Sequence, residues 1–138
     1  MRARRIGLAG VVGLVGITLL SVFVGVSGVV VDFTATHVYN PAWPPHARLH
    51  GYLSIARTVL IMAVALALAW GPVRDGDRFA WGVLAFLLLG WLAIWWIAPV
   101  VVPGAGDRAS YLFAGVLGPL YVIGLWLVRP SGETVAGS

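Results

Sequence analysis

Cysteine and lysine are both missing from this chain, and acids are scarce. The lack of cysteine rules out a disulfide framework, a thiolate nucleophile and any thiol–disulfide relay. The lack of lysine rules out a Schiff base through a protein amine, since all nine basic residues are arginine. Charged residues make up 10% of the 138 positions and apolar ones 60%, against about 25% and about 45–50% in a soluble domain. A chain of this length forms one domain. So small a domain has too little interior to hide that much apolar surface, and lipid is the solvent this composition calls for. The net charge of +4 does not indicate a nucleic-acid partner, because the arginines sit at the ends of apolar runs, where they act as topology signals.

Four such runs are present. The first, residues 6–31, follows Met1-Arg-Ala-Arg-Arg5. At 26 residues it exceeds the ~7–15 of a signal-peptide core and lacks a clear cleavage site. At ~1.5 Å per residue it crosses a hydrocarbon layer of ~30 Å with tilt. The small-residue spacings Ala9/Gly13 and Ser21/Gly25 allow a neighbouring helix, from the same chain or from a second copy, to approach closely. A second span is expected from about His46 or Leu49 to Trp70 (about 49–70), entered through Pro44-Pro45, which suit a first helical turn. A polar turn, Gly71 to Arg78, follows, with Asp75 and Asp77 read as solvated. The third span, about 79–98, is expected to stop before Pro99. The fourth, about 108–128, is capped by Asp107 and kinked at Pro119. Residues 1–129 thus form the transmembrane domain, and 130–138, with nothing to pack, a disordered tail.

Six arginines (Arg2, Arg4, Arg5, Arg74, Arg78, Arg129) fall on one side of this layout, and Arg48 and Arg108 on the other. The positive-inside rule therefore puts both termini in the cytoplasm and the loop after the first span outside. The expected fold is an all-α, multi-pass, four-helix up-and-down bundle in the cell membrane.

The polar residues with chemical capacity gather around that outer loop. His46, His50 and Arg57 advance along a helix by 400° and 700°, so they lie on one stripe about 40° wide, which Ser54 extends. An arginine inside a span costs about 2.5–3.5 kcal/mol on insertion scales. Arg57 is therefore expected to face the bundle interior and find a partner, with Asp32, Asp107 or a backbone carbonyl near Pro119 available. One reading gives His46, His50, Arg57 and Asp32 to acid–base work on a small lipophilic molecule, lining one cavity. The histidines move the proton and the arginine steadies developing negative charge. His37, Trp43, Arg48, Trp95 and Tyr111 then serve as ligand-binding residues, with Trp91, Trp95, Trp96, Tyr52 and Tyr111 as apolar walls. The alternative for the aromatics is an interfacial belt. A metal ion held by His46 and His50 at four-residue spacing, with His37 and Asp32 adding ligands, is a further use of the pair. No HExxH glutamate accompanies it, and no metal is assigned. No motif names a cofactor.

The segment Asn40-Pro-Ala-Trp43-Pro44-Pro45-His46-Ala-Arg48-Leu-His50 resembles the loop of small four-helix membrane proteins without assigned activity. The plan as a whole is similar to the sterol-isomerase-like family of lipid-handling proteins. This chain departs from that family in having no acid within its second, third and fourth spans. The resemblance implies a four-helix membrane fold and no catalytic role.

Two function classes follow. One is a small-molecule site, binding or catalytic, toward the outer leaflet. The other is a structural or accessory subunit that docks through its glycine-rich first helix on a partner membrane subunit or a second copy, with the polar stripe locking its own packing. If Arg57 only pairs within the bundle, Arg57→Leu leaves an orphaned carboxylate and destabilises. If it is held ready for a ligand, the variant is as stable as the parent or more so. His50 is expected to behave like Arg57, because the two share a stripe.

Overall fold

The computed structural model describes residues 6–104 and 108–130. Within them the chain forms four helices: α1 (Leu8–Asp32), α2 (Pro45–Leu68), α3 (Arg78–Val101) and α4 (Arg108–Leu127). A π-helical turn, Ala69–Val73, extends α2. Each helix is long and apolar enough to cross a membrane. Even the 20 residues of α4 reach about 30 Å at ~1.5 Å per residue. The caps assigned to Asp107, the arginines at positions 2, 4 and 5 and the tail at 131–138 lie outside the described residues.

The helix ends depart from the sequence expectations in three places. α2 begins at Pro45, one residue before the earlier of the two expected starts, His46, and four before Leu49, because Pro44 is extended (φ −64°, ψ 155°) and Pro45 occupies the first helical position, where its preset φ fits and no N–H is lost. Both histidines are thereby helical. Asp77 is exposed, as expected of a solvated turn residue, and in addition accepts a hydrogen bond from the Ala80 amide at 2.9 Å, which starts α3. α3 also runs past Pro99 to Val101. A proline this close to the end of a helix forfeits one backbone hydrogen bond and does not force the stop expected at Ala98. Pro119 lies inside α4.

α1 is the hub. It packs along α2 on one side and α4 on the other, and α3 completes the ring against α4 and, more thinly, α2. The interior holds Leu14, Ile17 and Val24 from α1, Met62 and Ala65 from α2, Leu84, Leu88 and Leu92 from α3, and Leu117, Tyr121 and Leu125 from α4. Leu19, Phe23, Phe86, Val116, Ile123 and Trp126 stand exposed on the outside. Helices apolar on both faces suit a lipid surrounding.

Small residues set the spacing. A Cβ added to Gly13 would lie 2.9 Å from the Gly124 carbonyl oxygen and 2.8 Å from Leu127 Cβ, and one added to Gly124 would lie 2.9 Å from Ile17 Cγ1. α1 and α4 therefore cross nearly backbone to backbone. Gly25 faces Met62 on α2 at 4.0 Å by the same measure, whereas Gly16 faces open space. Hydrogen bonds reinforce the packing. The fully buried Tyr121 hydroxyl donates to Met62 Sδ (3.7 Å) and lies 3.4 Å from Ser21 Oγ, so α1, α2 and α4 meet there. Trp70 Nε1 donates to Thr18 Oγ1 (2.8 Å), and Trp81 Nε1 donates to the Leu125 carbonyl (2.9 Å).

Gly13→Leu is expected to destabilise the protein by about 2–3 kcal/mol through overpacking. Gly16→Leu should stay within about 0.5 kcal/mol of the parent, since its side chain enters empty surroundings. Thermal unfolding of the two variants in one nonionic detergent reads the difference.

Candidate functional site

The two ends of the bundle are built differently. Where α1 and α4 cross at Gly13 and Gly124 the helices are in close contact. At the other end, where α1 and α3 finish and α2 and α4 begin, they leave a cavity of about 600 Å³ walled by all four. Its inner part is apolar and aromatic, formed by Val24, Ile61, Trp91 and Phe113. Trp95 joins the aromatic wall, its ring 5.8 Å from Trp91 and 5.5 Å from Phe113 between centroids. Toward the open end the lining turns polar, with Asp32 from the last turn of α1, Ser54 and Arg57 from α2, and Ser110 from α4. Ser27 and Gly28 on α1 keep the wall thin there.

Arg57 is exposed to this opening and Asp32 half-buried in it. Among the described residues neither side chain has a hydrogen-bond or ion-pair partner. The partner expected for Arg57 inside the bundle is not found within the described residues; Asp107 lies outside them. The guanidinium faces space rather than packed protein.

The structure does not bring the histidines to this cavity. His46 and His50 both lie in α2 and are exposed. Their Nε2 atoms are 3.0 Å apart and their rings meet edge-on, so one ring donates to the other. The expectation of a common cavity for His46, His50, Arg57 and Asp32 is corrected here. The stripe is real, but Arg57 lies seven residues, about 10 Å, farther along the axis than His50, and the lining of the cavity ends at Ser54. Among the described residues, no group of three or more His, Asp or Glu side chains is placed to hold a metal ion.

Three more of the candidates lie in or beside the loop between α1 and α2. The loop, residues 33–44, folds back on itself through amide-to-carbonyl bonds such as Val38 to Asp32 (3.0 Å) and Asn40 to His37 (2.9 Å). Asn40 Oδ1 accepts from the Ala42 amide at 2.9 Å. Buried Val38 plugs the loop against Gly51, where an added Cβ would lie 2.7 Å from Val38 Cγ2. Arg48 Nη2 donates to the Asn40 and Pro41 carbonyls (3.1 and 3.4 Å). His37 Nδ1 sits 2.9 Å from Thr36 Oγ1, with its ring against Trp43. Arg48 thus binds loop backbone, while His37 meets a loop hydroxyl and packs against Trp43. Tyr111 stacks on Trp96 at 5.6 Å, away from the cavity.

Phe113, Thr58, Ser27 and Ser110 were not singled out by the sequence. The signal available for the first wall was the Ser27-Gly28 pair ending an otherwise valine-rich helix, since small residues near a polar terminus make room. Comparison with protein-family models, curated proteins and solved structures gives no match, so the likeness of the Asn40–His50 loop to other membrane proteins assigns nothing to this chain.

Because Arg57 has no partner to orphan among the described residues, Arg57→Leu is expected to be at least as stable as the parent in detergent. His50→Ala, on the exposed face, should lie within about 0.5 kcal/mol of it. Thermal melting checks both. A loss of several kcal/mol in Arg57→Leu would identify the arginine as scaffold.

Proposed function

We propose that this is an integral membrane protein of the cell membrane, with four up-and-down spans, both termini cytoplasmic and the outer loop external, and that it holds a small lipophilic molecule in the outer-leaflet half of the bundle. One observation carries the functional part: Arg57, an arginine within a span, lines a 600 Å³ cavity without a protein partner among the described residues. An unpaired charge at such a depth is costly, and in membrane proteins it marks a ligand or ion path. The volume falls within the ~300–1,000 Å³ range of small-molecule sites, and convergent polar groups over an apolar floor are typical of them.

The polarity gradient supports an amphiphile, its apolar body against Trp91, Trp95 and Phe113 and its polar group at Arg57. Acid–base catalysis by histidine is not part of this reading, since both helical histidines lie off the cavity wall. The arginine bias supports the orientation.

The absence of native cysteine makes single-cysteine mapping direct. Asn40→Cys is expected to react with an impermeant maleimide added to intact cells, and Gly76→Cys only after lysis; the reverse pattern overturns the orientation. Gly28→Leu, which places a side chain at the cavity wall, is expected to lose most of any lipid-like molecule that the parent retains in nonionic detergent, as read by mass spectrometry of extracts. Equal retention by both proteins would count against the cavity as the site.

A further inference from the structure

Three of the four seams between neighbouring helices are closed at the depth of the cavity. α1 meets α2 where a Cβ added to Gly28 would lie 3.8 Å from Thr58 Cγ2. Phe23 of α1 stands 6.1 Å from Phe113 of α4 between ring centroids, and Trp95 of α3 stands 5.5 Å from the same ring. The seam between α2 and α3 is different. The five-residue π turn meets α3 as extensively as the 24 residues of α2 do. α2 gives fully buried core residues only from Met62 inward, and α3 gives none beyond Leu92. Outward of that level, no hydrogen bond or ring contact joins α2 to α3 among the described residues.

Two side chains that line the cavity mark the resulting gap: Arg57 on α2 is exposed, and Ile94 on α3 is 60% exposed. Arg57 precedes Val73, the end of the π turn, by as many residues as Ile94 follows Arg78, the start of α3, so the two sit at one level of the hairpin. That level is deep. The 29 residues from Pro45 to Val73 reach about 43 Å, against ~30 Å for a hydrocarbon layer. With this segment centred in the membrane, the Arg57 backbone lies about 11 Å inside the outer edge of the hydrocarbon. Its side chain leans toward the helix N-terminus, and so back toward that edge.

We propose that the cavity opens sideways to the bilayer between α2 and α3, and that its occupant is a membrane lipid with an acyl chain inserted through the gap. This rests on the reading of the cavity as a lipophilic site, and adds the source: the outer leaflet rather than the aqueous phase. Ser54 and Arg57 give the gap a polar lip on α2, and Ile94 gives it an apolar lip on α3. A chain passing over Ile94 reaches Trp91 and Phe113 without crossing water. The lipid's polar group stays on the outer side, toward which Arg57 leans. An arginine that faces acyl chains alone is costly, and the phosphate or ester oxygens of a lipid supply the acceptors it lacks. A water-borne ligand would enter at the end of the bundle and leave the gap, with Arg57 in it, facing hydrocarbon.

Photo-crosslinking of the full chain in phosphatidylcholine vesicles tests this. One protein carries p-benzoylphenylalanine in place of Trp91, which is half-buried and lines the cavity. Another carries it in place of Phe86, an outward-facing reference. Irradiation is expected to attach phosphatidylcholine at both positions, read as a mass increase. Ile94→Trp, which fills the gap from the α3 lip, should bring the product at position 91 down to the dark control and leave that at position 86 unchanged. Ile94→Ala, which widens the gap, should raise the product at position 91. Both substitutions fall on an exposed side chain, and the product at position 86 verifies that the variants are folded and inserted. Absence of lipid at position 91 overturns the proposal. So does a product there that neither Ile94 substitution alters, since the chain would then enter elsewhere. In both cases the cavity reading stands if Gly28→Leu still loses the lipid-like molecule that the parent retains in detergent, and falls if it does not.

Discussion

The near-contact of backbones at Gly13 and Gly124 governs how the rest of the bundle can be arranged. In the lipid setting proposed for this chain, an apolar side chain gains little by leaving acyl chains for another helix, so association depends on close packing and on hydrogen bonds between helices. Gly13 and Gly124 supply the first at one end of α1, and the Ser21–Tyr121–Met62 contacts supply the second near its middle. With α1 clamped to α4 there, and to α2 along Met62, the helices can stand apart at the opposite end without the bundle losing coherence. The cavity depends on that asymmetry.

The loop between α1 and α2 is held mainly by its own groups, although the buried Arg48 Nε has no hydrogen-bond partner among the described residues. Arg48 and Asn40 take up loop backbone groups, and Val38 fills the notch at Gly51. The polar residues nearest the cavity are therefore split between two jobs. Those on the loop hold backbone, while Arg57 and Asp32 remain uncommitted among the described residues. Holding a charge without a partner lowers stability, and such a loss is common at sites shaped for ligands rather than for rigidity.

The four long apolar helices were legible in the sequence, because apolar runs of some twenty residues read plainly as helices long enough to cross a membrane. Helix ends were less so. Pro99 looks like a stop yet sits inside α3, because a last-turn proline loses a single hydrogen bond; Asp77 is the exposed turn residue expected, but its capping of α3 was not anticipated. At the site, periodicity gave the azimuth of His46, His50 and Arg57 correctly but could not give depth. Whether a facing helix reaches the level of His50 is a matter of tilt and loop geometry, which spacing along one helix does not encode. The same limit applies to the aromatics, since Trp95 and Tyr111 occupy similar depths and only packing sends one to the cavity and the other onto Trp96.

The π-helical turn at Ala69–Val73 has a consequence for how α2 varies in length. Its wider hydrogen bonding, Arg74 amide to Ala69 carbonyl at 3.1 Å, accommodates one residue more than an α-turn would. Ala65, Ala69 and Val73 stay buried at four-residue steps, although in a regular α-helix each such step overshoots by about 40°. The helix thus keeps its slack at the end remote from Arg57. A residue gained or lost around Gly71 would be absorbed as a change of winding there, while the segment from Pro45 to Ile61 kept its phase against α1.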